Sequence, residues 1–118
     1  MGRKRNILDF VRDISDAALK VYEFTNGMDL ASFQRDERTV FAVVRALEVI
    51  GEAANRIPNT VQERYPNVPW RDMVDMRNKV IHDYFGVDVE VVWRTVCEDI
   101  PPLRAAIAEV LQDMEGEK

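Results

Sequence analysis

Apolar residues recur along most of this chain at alternating steps of three and four positions, the spacing that places them on one face of an α-helix. Four long segments follow this rule. The first runs from about residue 5 to 26 and is followed by Gly27, which suits a left-handed C-terminal cap. The second begins after Asp36, a good N-cap, and ends at Pro58, because proline disfavours helical geometry in the residue before it. The pattern predicts helix almost throughout.

The other two long helices lie in the C-terminal half of the chain. The third is predicted from Trp70 to about Tyr84, with Gly86 marking its end. The fourth is predicted to begin near Asp88. Its apolar stripe is interrupted by Pro101-Pro102, where lost backbone donors and a clash with the preceding turn predict a kink or a break.

Shorter segments connect the long helices. Residues 29 to 34 are predicted as a short connection anchored by Phe33, and residues 60 to 65 as one or two helical turns. The sequence shows no strand-like alternation and no internal repeat. We therefore predict one all-α domain over residues 1–118, an up-and-down bundle of four main helices with short helical turns and a last helix kinked at Pro101-Pro102.

Composition narrows the function classes. The net charge of −5 argues against a chain coated by nucleic acid but allows a local basic cleft. No apolar run approaches the roughly 20 residues of a membrane span, and the residues after Arg3-Lys4-Arg5 are amphipathic, unlike a secretory signal. One cysteine and one histidine cannot build a Cys/His zinc site, and the glycines are too scattered for a phosphate loop. We predict a cytoplasmic protein with no membrane partner, no metal site and no cofactor.

The segment Arg77-Asn78-Lys79-Val80-Ile81-His82-Asp83-Tyr84 breaks the apolar rule of the third helix. Arg77 occupies a position of the apolar stripe, and its guanidinium, which does not lose its proton, needs a carboxylate, a phosphate or a water-filled cleft. It could pair with Glu48 or Glu52, or neutralise charge on a phosphate. His82, the only histidine, could interact with the helix dipole or act as a general acid or base.

Helical geometry limits how these side chains can meet. Residues five apart point about 140° away from each other on an ideal helix, so Arg77 and His82 diverge. Asn78 and His82 share one face, whereas Arg77 and Tyr84 share another. They could converge on one phosphate if the helix loosens before Gly86 or if two subunits contribute.

This segment resembles the R-x4-H-x-Y motif of HepT-like toxins in the HEPN superfamily. Three further segments resemble recurrent segments of that family in the same order, so the similarity covers nearly the whole chain. They are Ile50-Gly51-Glu52-Ala53-Ala54, Tyr65-Pro66-Asn67-Val68-Pro69-Trp70, and Trp93 with Asp99-Ile100-Pro101.

The resemblance implies an all-α bundle that forms a homodimer, with the motifs of both subunits around a shared cleft. It implies metal-independent RNA cleavage with Arg77 and His82 as catalytic residues. It also implies a partner antitoxin, a minimal nucleotidyltransferase that transfers AMP to the motif tyrosine, here Tyr84.

Two function hypotheses remain at this point. In the first, the chain is an endoribonuclease toxin: His82 moves protons, Arg77 stabilises the charged phosphate, and Asn78 holds the substrate or the imidazole. In the second, the chain is a non-catalytic nucleotide- or partner-binding subunit of a nucleotidyltransferase complex, and Arg77 and Tyr84 serve binding alone.

Overall fold

The computed structural model describes residues 5–82 and 88–116, and for residues 79–82 it describes the backbone alone. The described residues form α-helices and one π-helical segment, with no strand among them. The elements are α1 (Ile7–Thr25), α2 (Leu30–Arg35), α3 (Glu37–Asn55), α4 (Asn59–Arg64), α5 (Trp70–His82), α6 (Val89–Arg94), the π-helical segment Thr95–Asp99, and α7 (Ile100–Gly116).

Helix α3 is the centre of the bundle, because it packs along both α1 and α5, while α1 also packs against α7. The apolar stripes of these helices meet in one core, to which α2 contributes Phe33. The Phe33 ring lies 5.0 Å from that of Trp93, measured between ring centroids. The fully buried large side chains include Val11, Ile14, Val21, Val43, Leu47, Ile50, Ile107 and Val110. The predicted all-α bundle is confirmed.

Local capping explains where the long helices begin and end. The Asn6 side chain accepts a hydrogen bond from the backbone nitrogen of Asp9 at 3.0 Å, and the Asp9 carboxylate accepts one in return. Gly27 has a φ of 82°, the left-handed conformation predicted after α1. Asp36 caps α3 through the backbone nitrogen of Thr39 at 3.0 Å, as predicted.

Two segments differ in detail from the sequence prediction. Most of the predicted connection at residues 29–34 belongs to the short helix α2, which starts with reciprocal hydrogen bonds between Asp29 and Ser32 and ends at Arg35. The helical path continues through Pro101-Pro102, and the π-helical segment ends at Asp99, two residues before Pro101. There the backbone nitrogen of Ile100 bonds to the carbonyl oxygen of Thr95. Prolines and π-helical segments both cause kinks in helices. A bend at Pro101-Pro102 stays a prediction.

The third long helix carries Arg77, Asn78 and His82 of the candidate site. Helix α5 begins at Trp70, as predicted, and is described as far as His82. The predicted end near Tyr84 and Gly86 lies outside the described residues. None of the described helices is long and apolar enough to cross a membrane.

Candidate active site

A cleft of about 760 Å³ opens where the start of α1 meets the second half of α3 and the middle of α5. Four arginines and two carboxylates line it, so its lining is positive although the chain carries a net charge of −5. Such a cleft attracts anions by concentrating positive potential between low-dielectric walls. The lining residues are Arg5, Phe10, Asp13, Arg45, Val49, Glu52, Ala53, Asn55, Arg56 and Arg77.

Helices α3 and α5, which both line the cleft, come closest to each other at Gly51. A methyl group added there would overlap with the Cβ of Arg77 and lie 2.9 Å from the carbonyl oxygen of Met73. The absence of a side chain at Gly51 therefore lets the α5 backbone approach α3. This approach brings Arg77 beside Glu52 in the lining of the cleft.

We expect Gly51→Ala to lower the free energy of unfolding by about 1–3 kcal/mol, because the new methyl group would push α5 away from α3. Gly116→Ala is the matched control, since the Cβ it would add meets no described atom within 4 Å apart from its own residue, its chain neighbours and the backbone of its own helix. Urea denaturation of both variants measures the difference. Equal midpoints for Gly51→Ala and the wild-type protein would contradict the proposed packing role.

The described residues hold the Arg77 guanidinium without using all of its hydrogen-bond donors. Its Nη2 lies 3.8 Å from Oε1 of Glu52, close enough for an ion pair but too long for a hydrogen bond. Its Nη1 donates to Oδ1 of Asn78 at 3.3 Å, and its buried Nε has no acceptor among the described residues. A guanidinium has five N–H donors, so the contacts of the described residues leave donors of Arg77 available for an anion.

Glu52 links two arginines of the cleft. Besides Arg77, its Oε1 lies 4.0 Å from Nη1 of Arg45, which also lies 3.8 Å from a carboxylate oxygen of Glu48. The Glu52 side chain is 46% exposed and that of Arg77 30% exposed, so water screens their attraction. Of the two carboxylates considered from sequence, Glu52 is the one beside Arg77. The pair orients the guanidinium without closing it off from the cleft.

The other predicted site residues are placed less completely. Asn78 is exposed, and its amide oxygen contacts Arg77. The backbone of His82 belongs to α5, about 7.5 Å along the helix axis from Arg77, by the helical rise per residue. Its side chain and the whole of Tyr84 lie outside the described part of the chain. The convergence of His82 and Tyr84 on Arg77 stays a prediction.

Sequence reasoning missed Arg45 and Arg56 as lining residues. Arg45, Val49, Glu52 and Arg56 follow one another on α3 at steps of four, three and four, so they form a single stripe along the helix. All four line the cleft. This spacing could have revealed a charged stripe, but not that α1 and α5 would face it.

Comparisons with known proteins agree on one family. The model of the "Ribonuclease HepT-like" family matches residues 14–110. "Probable ribonuclease HepT" from Thermococcus cleftensis is 50% identical over 101 residues, covering 86% of this chain and 92% of that protein. Two Methanocaldococcus jannaschii proteins, each called "Putative RNase", are 43% and 40% identical, covering 88% and 97% of this chain and 95% and 94% of their own lengths.

No solved structure gives a significant match. The matched range includes α3 and α5, which carry the crossing at Gly51 and the whole Arg77–His82 segment. The region matched by the family model therefore includes the described residues Gly51 and Arg77 of the candidate site. The chain belongs to the HepT-like ribonuclease family of the HEPN superfamily.

Proposed function

We propose that this chain is a metal-independent endoribonuclease and the toxin of a toxin–antitoxin pair. The observation that carries the proposal is the position of Arg77, which packs on Gly51 beside Glu52 in a positively lined cleft and keeps donors that the described residues do not use. The same helix bears His82, the only histidine of the chain. The ribonuclease names of the relatives support RNA as the substrate.

The proposed reaction needs one proton carrier and one fixed cation. The ribose 2′-oxygen attacks the adjacent phosphorus, a new P–O bond forms, and the bond to the 5′-oxygen breaks. His82 takes part as general base for the 2′-hydroxyl or general acid for the leaving 5′-oxygen, and Arg77 stabilises the negative charge on the phosphate. Asn78 would hold the Arg77 guanidinium, which it already contacts, or the substrate.

The chemical ends of the products test this mechanism. Total RNA is incubated in EDTA with protein expressed without its partner, and new 5′ ends are labelled with polynucleotide kinase. We expect internal fragments that accept label directly, because attack by the 2′-oxygen leaves a 5′-hydroxyl. Fragments that accept label only after phosphatase treatment would contradict the mechanism, and loss of cleavage in EDTA would contradict metal independence.

The functional unit is proposed to be a homodimer. On one ideal helix Arg77 and His82 point about 140° apart, so a shared cleft would let Arg77 of one subunit work with His82 of the other. Mixing inactive Arg77→Ala and His82→Ala proteins should then restore part of the cleavage through heterodimers. Sedimentation of the wild-type protein at the monomer mass at assay concentrations would contradict the shared cleft.

Inhibition is proposed to act through Tyr84, to which a minimal nucleotidyltransferase antitoxin would transfer AMP. The added phosphate would bring negative charge and bulk close to the end of α5 and compete with RNA for Arg77. After coexpression with the transferase, we expect an AMP-sized increase in intact mass and loss of RNA cleavage. Tyr84→Phe should prevent both, with Tyr22→Phe as the control; a mass increase that survives Tyr84→Phe would contradict the assignment.

The non-catalytic alternative makes a different forecast. If unmodified protein cuts no RNA but forms a tight complex with the transferase, the chain is a binding subunit, and the cleft serves a nucleotide or the partner. Cleavage that depends on both Arg77 and His82 excludes that reading.

A further inference from the structure

Arg56 differs from the other arginines of the cleft in having no carboxylate partner among the described residues. Arg5 is paired with Asp13, Arg45 with Glu48 and Glu52, and Arg77 with Glu52. Arg56 is exposed at the end of α3 and makes no ion pair with any residue that the structure describes. Its charge is therefore available to an anion that enters the cleft.

The stripe on α3 places Arg77 between two other cations. Arg77 contacts α3 at Gly51, five residues before Arg56 and six after Arg45. The helical rise puts Arg56 about 7.5 Å and Arg45 about 9 Å from that level along the axis. A chain of phosphates running along α3 would pass Arg45, Arg77 and Arg56 in turn.

On the α1 side of the cleft, the Arg5 guanidinium lies over the ring of Phe10. The Arg5 guanidinium carbon lies 5.1 Å from the centre of the Phe10 ring, and the Asp13 carboxylate hydrogen-bonds the same guanidinium. Phe10 is only partly buried. Unstacked bases bind to aromatic rings and to guanidinium planes in this way, which fits a single strand, whereas the bases of a duplex are already stacked on each other.

The cleft is large enough to hold part of such a strand. A volume of about 760 Å³ suits a ligand of small-molecule size, which corresponds to a short piece of an extended strand. We propose that the cleft binds single-stranded RNA along α3, with Arg56 contacting the phosphate next to the one at Arg77 and the Arg5–Phe10 pair stacking a base. This inference rests on the RNA cleavage proposed above and adds the substrate class and its binding residues.

Binding of an uncleavable strand tests the inference separately from catalysis. The probe is a fluorescein-labelled, unstructured 2′-O-methyl RNA, compared with the same sequence as a duplex. We expect Phe10→Leu to raise Kd about tenfold, because leucine loses the stacking surface. Phe10→Tyr should keep wild-type affinity, and Phe24→Leu is the control, since Phe24 lies on α1 outside the cleft and is 46% exposed.

The contact between Arg56 and a phosphate can be tested by the salt dependence of Kd. Arg56→Ala should weaken binding and reduce the slope of log Kd against log salt concentration by about one, the change for one lost phosphate contact. Arg71→Ala is the matched control, because Arg71 is exposed on α5 but lines a different groove, beside α4. An unchanged salt slope for Arg56→Ala would overturn the assignment of Arg56.

The outcomes separate this inference from the proposed function. Affinity losses of Phe10→Leu and Arg56→Ala without any cleavage of natural RNA by the wild type would support the binding site and refute the ribonuclease mechanism. If both variants cleave RNA at the wild-type rate and with the wild-type KM, the binding site is refuted and the mechanism stands. Duplex binding as tight as single-strand binding would overturn the substrate class.

Discussion

Arg77→Ala is expected to lower RNA cleavage by about two to three orders of magnitude, the usual loss when one preorganised donor to a developing charge is removed. The structure gives the reason, since Arg77 lines the cleft and, among the described residues, its guanidinium hydrogen-bonds to Asn78 alone. Arg77→Lys should recover only a small part of the rate, because an ammonium group lacks the planar fork that binds phosphate through two parallel hydrogen bonds. Single-turnover cleavage of a defined RNA measures both variants.

The Arg77 variants must be shown to fold. Arg77 is 30% exposed, and its partner Glu52 is also close to Arg45, so the substitution leaves no carboxylate buried and unpaired. We expect wild-type helical circular dichroism for Arg77→Ala. Arg71→Ala, on the same helix, controls for the loss of one positive charge. Wild-type cleavage by a folded Arg77→Ala protein would show that the cation is structural.

His82→Ala is expected to lower the cleavage rate by about 10²- to 10⁴-fold, the range that one general acid or base contributes. No second histidine exists in the chain to replace the imidazole. The loss should fall on kcat, because a proton carrier acts in the transition state. The Kd for the 2′-O-methyl strand should stay close to that of the wild type.

The values of kcat and of Kd for the 2′-O-methyl strand decide between the roles considered for His82. A variant that loses affinity for RNA while keeping kcat would make His82 a binding residue, and one that loses only thermal stability would make it a helix-capping cation. Either result would contradict its catalytic assignment. A reduced kcat at unchanged affinity agrees with proton transfer.

The long helices could be predicted from sequence because their causes are local. The three-and-four spacing of apolar residues, the Asp36 cap and the left-handed Gly27 act within a few positions of each helix end. Helix α2 is harder to predict from sequence, because six residues are too few to show a helical periodicity of apolar positions. Its packing through Phe33 against Trp93, far along the chain, supplies part of its stability.

The candidate site could be predicted only in part. Arg77 can be recognised from sequence because it is a cation on the apolar stripe of one helix, and that stripe follows from the spacing of residues within the helix. The role of Gly51 depends on which helix crosses α3 at that point, and the positive lining depends on α1 and α5 facing the Arg45–Arg56 stripe. These are tertiary facts, which spacing along one helix cannot supply.

The most direct test of the central claim is cleavage of a covalently closed circular RNA in EDTA by unmodified protein. The wild type and the Arg77→Ala/His82→Ala double variant are compared at equal concentration after both are shown to be folded. We expect the wild type to linearise the circle, which only an endonuclease can do, and the double variant to leave it closed. An intact circle with the wild type, or equal linearisation by both proteins, would contradict the assignment of metal-independent RNA cleavage to Arg77 and His82.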